Sequence, residues 1–175
     1  HAHSHYSLLE ALPSPKKLVE RAKKEGMTAI AMTDNGSMYG AVEFFQACQS
    51  EGIKPIIGLD AYMALDKRTD KRPRIDDRPF RLVLLAKNET GYKNLLKATT
   101  AGFLEGFYYK PRIDKEFLEE HKEGLIALSG SFRGEIPTLL QQDNYKEAEE
   151  VARWYQKTMG EGNFYLELVH QPDSG

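Results

Sequence analysis

Residues 28–64 read TAIAMTDNGSMYGAVEFFQACQSEGIKPIIGLDAYMA. Two apolar runs, TAIAM at 28–32 and the stretch Pro55–Ala64, flank a helical pattern. Near-continuous apolar runs of this length are what strands covered on both faces require. Between them Ser37 is placed to start a helix, Val42, Phe45 and Cys48 recur at helical spacing facing inward, and Gly52 supplies a stop. Strand, helix, strand is the unit from which parallel sheets are built.

Working outward, the same alternation continues. Ser14 is an N-cap ahead of Pro15, Leu18, Val19 and Ala22 form an apolar stripe, and Gly26 ends that helix. Tyr92, Leu95, Leu96 and Thr99 mark another helix. Asn144 with Glu147 resembles a capping box before Ala148, Val151, Ala152 and Tyr155, with Gly160 as the end. Further strands are predicted at Leu82–Ala86, Leu125–Leu128 and Phe164–Val169. The class is therefore α/β with a largely parallel sheet, and the pattern suits a doubly wound sheet or part of a βα barrel. Cys48 and Trp154 read as core.

Composition narrows the function classes. The 175 residues suit one domain or a piece of a larger one. Hydrophobic content of 41% and charged content of 29% are those of an ordinary globular chain. A formal net charge of −2 provides no global basic field for nucleic acid. A single cysteine cannot form an internal disulfide, which fits a reducing cytoplasm. No apolar run spans a bilayer, and no signal-peptide pattern is present. The sequence starts on histidines without Met and stops in HQPDSG, so a piece of a longer polypeptide is expected.

One segment breaks the rhythm. Residues 64–81, ALDKRTDKRPRIDDRPFR, read as a long exposed loop. Lys71, Arg72 and Arg74, with Lys67, Arg68 and Arg78, could contact phosphates. Asp66, Asp70, Asp76 and Asp77 dilute that charge, so a solvated loop is the first expectation and nucleic-acid contact the second.

Polar residues collect at the carboxyl ends of the predicted strands, where α/β folds bind ligands. Thr33-Asp34-Asn35 follows the first strand, Asp60 lies in the second, and Ser129-Gly130-Ser131 follows LIAL. Taken singly, each can be a cap or a turn. The chain opens HAHSHYSLLEA. In an extended segment His1, His3 and His5 share one face, and His-x-His brings two imidazoles to one metal.

These stretches carry a resemblance. HAHSHYSLLEA, AMTDNGSMYGAVEFF and GIKPIIGLDAYM, followed by LLAKNETGYKNLLK, EGFYYKPRID, GLIALSGSFRGEIP and NFYLEL, resemble the amino-terminal PHP (polymerase and histidinol phosphatase) domain. The version is that of bacterial DNA polymerase III alpha subunits. The resemblance implies a distorted βα barrel, TIM-like and incomplete within residues 1–175. Further βα units and the polymerase modules would lie beyond. It implies DNA, a proofreading exonuclease and a sliding clamp as partners of the parent, with magnesium bound outside these residues. An incomplete barrel would also self-associate through an open strand edge.

Active members of that family resemble polynuclear metallophosphoesterases, in which zinc or manganese would activate water. Set against their ligand pattern, His1 and His3 match. Glu10 stands for the usual Asp, and Asp60 for the usual Glu. Asn35, Arg81 and Ser131 replace expected ligands. With Asp34, the set His1, His3, Glu10, Asp34 and Asp60 would hold at most one weak ion. An arginine cannot ligate a cation. The expectation is thus a degenerate site on a structural platform, with an active phosphoesterase or 3′–5′ proofreading exonuclease as the alternative.

Overall fold

The computed structural model describes residues 2–169. Seven strands form one sheet: β1 (Ala29–Met32), β2 (Lys54–Met63), β3 (Phe80–Ala86), β4 (Phe107–Tyr108), β5 (Lys110–Ile113), β6 (Leu125–Leu128) and β7 (Phe164–Tyr165). Six helices accompany them: α1 (Pro15–Lys24), α2 (Ala41–Glu51), α3 (Glu89–Leu104), α4 (Lys115–His121), α5 (Glu135–Gln141) and α6 (Tyr145–Met159).

Several ends follow directly from local chemistry. The Ser14 hydroxyl accepts from the Lys17 amide ahead of Pro15, and Asn88 and Asp114 cap α3 and α4 in the same way. Gly52 closes α2 in the left-handed conformation, with φ 69°. Asn144 precedes α6, but its side chain bonds the Glu147 carboxylate rather than a backbone amide, so the predicted box is half formed.

The sheet is mixed, which corrects the largely parallel expectation. β1 and β2 are parallel, joined through α2, and β2–β5 and β6–β7 are parallel as well. The pairs β2–β3, β3–β6 and β4–β5 are antiparallel. The reason lies in the connections. A parallel return needs a crossover element, and the segment between β2 and β3 contains no helix.

The core has two parts. Leu59, Ala61, Met63, Leu82, Leu84 and Leu95 anchor the larger one, against α3 and α6. Val19, Ala22, Met32, Phe44, Cys48 and Ile53 form the smaller, under α1 and α2. Here α2 turns differently from expectation. Ala41, Phe44 and Cys48 face inward, while Val42 is 63% and Phe45 42% exposed. Two adjacent phenylalanines gave the periodicity two faces to choose from, and contact with α1 selected Phe44.

Residues 64–79 are irregular, yet tied down from below. Arg112 of β5 is fully buried, and its guanidinium donates to four carbonyls: Gly106 at 2.9 Å, Asp76 at 3.1 Å, Arg68 at 2.9 Å and Asp70 at 2.6 Å. Arg68 in turn bonds Asp114 at 2.9 Å and Glu105 at 2.7 Å. Arg72 forks onto Asp76 at 2.8 and 2.9 Å and reaches Asp66 at 2.6 Å. The segment is the expected long exposed loop, with the added feature that Asp76 and Arg112 are buried beneath it.

Two outcomes follow. Buried acceptors that lose their donor cost ~1–3 kcal/mol each. Arg112→Ala is expected to lower unfolding free energy by ~3 kcal/mol in urea titrations and to open residues 66–79 to proteolysis. The hydrogen bonds from Arg72 hold the Asp76 carboxyl down to about 2, from an ordinary 3.8. Because the folded value is depressed, this contribution is present above pH 4 and lost as pH falls toward 2. A carboxyl NMR titration should give that low midpoint, and Arg72→Gln should return it toward the ordinary range.

Candidate functional site

The carboxyl ends of β1, β2 and β6 and the amino end of β3 meet at one rim. β1 runs on past Met32, so Asn35 bridges to Asp60 in parallel fashion. Across β2's other edge, Tyr62 pairs with Arg81 in antiparallel register. The turn after β6 passes so close that a Cβ on Gly130 would lie 2.0 Å from the Arg81 carbonyl oxygen, and Gly130 has φ 81°. Only glycine fits that approach. A cavity of ≈ 430 Å³ opens at the rim, lined by His3, Glu10, Asp60, Arg81, Ser131 and Arg133 among others.

Arg81 dominates the floor. Its guanidinium grips both oxygens of buried Asp60, Nε to Oδ1 at 2.8 Å and Nη2 to Oδ2 at 2.8 Å. Nη2 also donates to Asn35 Oδ1, and Asn35 Nδ2 donates to Glu10 Oε2 at 2.6 Å. The Tyr62 ring lies 4.3 Å from the guanidinium carbon, in cation–π contact. Burial works against the charge, but the Asp60 hydrogen bonds and charge outweigh it and the Arg81 pKa is raised. His3 Nε2 stands 3.8 Å from Asp60 Oδ2. Glu10, Asn35, Arg81, Asp60 and His3 therefore form one connected row.

Asp34 has a different assignment. It is buried and accepts from the Ser4 amide at 2.6 Å, the Ser4 hydroxyl at 2.7 Å and the Ser7 hydroxyl at 2.8 Å. The carboxylate pins the amino-terminal segment to the end of β1. Ala2 extends this docking by accepting from Thr33 N at 2.8 Å. His5 packs against Tyr6, with ring centroids 4.5 Å apart and the planes tilted by 41°. Ser131 lines the cavity from the turn after β6, with φ 53°. His1 lies outside the described residues.

Of the proposed ligand set, the structure brings His3, Glu10 and Asp60 to one cavity and turns Asp34 toward Ser4 and Ser7. Among the described residues, no three His, Cys, Asp or Glu side chains group closely enough to hold an ion. The donor chemistry explains this. Both Asp60 oxygens face a guanidinium, and a cation seated beside Arg81 would meet like charge. Among the described residues, His3, Glu10 and Asp60 share the cavity with a guanidinium rather than forming a close ligand group. Lys71, Arg72 and Arg74 sit on the loop after β2, and Arg72 is committed to Asp66 and Asp76.

Sequence reasoning missed Ser4, Ser7, Tyr62 and Arg112. The i, i+3 serines in HSHYS were a usable signal, since they place two hydroxyls beside one acceptor. No periodicity marks Arg112.

Comparisons with known proteins complete the picture. DNA polymerase III subunit alpha of Treponema pallidum is 47% identical over 169 residues, which covers 96% of this chain and 14% of that protein. The subunit of Borreliella burgdorferi is 46% identical, over 96% of this chain and 15% of the relative. The chain thus spans only 14–15% of the length of these relatives. Among solved structures, a Bifidobacterium adolescentis protein provisionally described as a metal-dependent phosphoesterase is 18% identical over 98% of this chain and 58% of its own. Its TM-score is 0.40, too low to carry an argument. The PHP domain family matches residues 1–171, so the chain belongs to that family, in the form found in DNA polymerase III alpha subunits.

Proposed function

We propose that this chain is the PHP part of a DNA polymerase III alpha subunit, a DNA-directed DNA polymerase, and that it serves there as a structural platform. Nucleotide transfer, its magnesium, DNA, the proofreading exonuclease and the sliding clamp belong to the parent assembly, in the cytoplasm. No helix among the described residues is long and apolar enough to cross a membrane. The sheet is read as part of a distorted βα barrel, of which residues 1–175 supply a partial domain. Supporting that reading, β7 pairs only with β6 among the described strands, and the amino-terminal segment lies along β1 at the far side.

The observation that carries the platform reading is Arg81 on Asp60. A fixed internal cation neutralises the carboxylate with two hydrogen bonds and needs no exchangeable ion. The alternative, a metal-dependent phosphoesterase or 3′–5′ proofreading exonuclease, draws on His3, Glu10 and Asp60 sharing one cavity.

Thermal unfolding separates the two. A tightly held metal adds ~3 kcal/mol at 100 times its Kd, several degrees for a domain of this size. The platform reading expects the same Tm in chelator, zinc and manganese, with a shift of less than about 1 °C. Arg81→Gln should lower stability by ~3 kcal/mol, because it removes the guanidinium that compensates the buried Asp60 carboxylate. In the full-length subunit the same substitution should lower the temperature of polymerase inactivation. Near-stoichiometric bound metal, or phosphodiester hydrolysis abolished by His3→Ala, would overturn the reading.

A further inference from the structure

The loop between β2 and β3 contains six cationic and four acidic side chains over residues 65–79. In sequence they dilute one another. In three dimensions they are sorted. Asp66, Asp70 and Asp76 all turn onto Arg72, at 2.6, 3.9 and 2.8 Å. Arg68 turns away from solvent toward Asp114 and Glu105. Lys67, Lys71, Arg74 and Arg78 are exposed, and among the described residues none of their side chains has a carboxylate partner, the Lys67 backbone amide alone reaching Asp70 at 3.4 Å. Asp77, the fourth acid, is half-buried.

We propose that this loop is a contact surface for a polynucleotide backbone, with Lys67, Lys71, Arg74 and Arg78 as its phosphate-binding residues. Three of the loop's four acids are held on Arg72 and Asp77 buries its Oδ1, so an approaching phosphate meets cationic side chains that no carboxylate has claimed. The surface works by contact rather than by a long-range field, because the whole chain carries a net charge of −2. Rigidity is the second element. Arg112 fixes the carbonyls of Arg68, Asp70 and Asp76 from beneath, so the loop's shape is set before any ligand arrives. Pre-organised groups lose less entropy on binding. Arg74 stands at a turn with φ 66°, exposed between Pro73 and Ile75. Arg72, the central residue of the motif in sequence, is excluded from the contact set because it is the hub that holds the acids.

The proposal is independent of the Arg81 reading, since its four residues lie outside that cavity, and its readout is binding. Fluorescence anisotropy with a labelled single-stranded oligonucleotide and with its duplex tests it. Binding should fall with salt, with a log–log slope of about −3 for four phosphate contacts on a single strand. Lys67→Ala/Lys71→Ala/Arg74→Ala/Arg78→Ala should weaken binding by about tenfold or more at low salt and flatten the slope. Among the described residues none of the four side chains makes an internal hydrogen bond or ion pair, so this variant should keep the parent's Tm. A control that removes four exposed lysines elsewhere, Lys17→Ala/Lys24→Ala/Lys54→Ala/Lys157→Ala, should leave affinity within about twofold. Equal loss in both variants, no binding at low salt, or equal affinity for polyglutamate would each overturn the proposal.

Discussion

A strand has two edges, and β2 spends both. One edge carries β3 along residues 58–63. The other is shared, with β1 beside residues 54–57, Asn35 beside Asp60 and β5 beside residues 62–63. No residue of β2 from Gly58 to Met63 is left exposed. Because side chains alternate along a strand, a slip of one residue would carry Asp60 to the opposite face and bury a different set of groups. The meeting of Asn35, Asp60 and Arg81 is therefore a consequence of register. The same register places β5 where Arg112 can reach the loop after β2.

Two aspartates at that rim show how much environment decides. Asp34 and Asp60 are both buried acids next to the amino-terminal segment. Asp34 accepts only neutral donors, from Ser4 and Ser7, and so fixes the position of a peptide. Asp60 accepts a guanidinium, so its charge is cancelled where it stands. Burying an ion pair costs desolvation that attraction alone does not always recover. Here the extra partners matter: Asn35 takes a further Arg81 proton, and Tyr62 offers its ring face. The result is a polar row in which the Arg81 and Asp60 charges cancel side by side and Glu10 is held by the neutral Asn35 amide.

Much of the fold was legible, because its signals are local. Caps at Ser14 and Gly52 and the apolar runs of β1, β2, β3 and β6 are written in adjacent residues. Strand direction was not. It depends on whether a connection supplies a crossover, and a charged stretch without periodicity gave no hint that β3 would return antiparallel. β4, β5, α4 and α5 escaped because each is short and takes its stability from neighbours rather than from its own pattern. At the site, strand-end placement grouped Asp60 with the opening histidines, and the resemblance added Glu10 and Arg81 and named the substitutions. It could not tell that Asp34 would turn to Ser4 and Ser7, since that choice rests on hydrogen bonds spanning about thirty positions.

Arg112 gives the loop before it an order in time as well as in space. The carbonyls it gathers from Arg68, Asp70 and Asp76 belong to residues 44, 42 and 36 positions earlier in the chain. Contacts of such separation form only after the entropy of closing the intervening chain has been met. β5 pairs with β2 and packs against α3, and from that position it brings the guanidinium inward. The loop precedes β5 by some thirty residues in the chain, so its polar interior is complete only once that strand has reached the sheet.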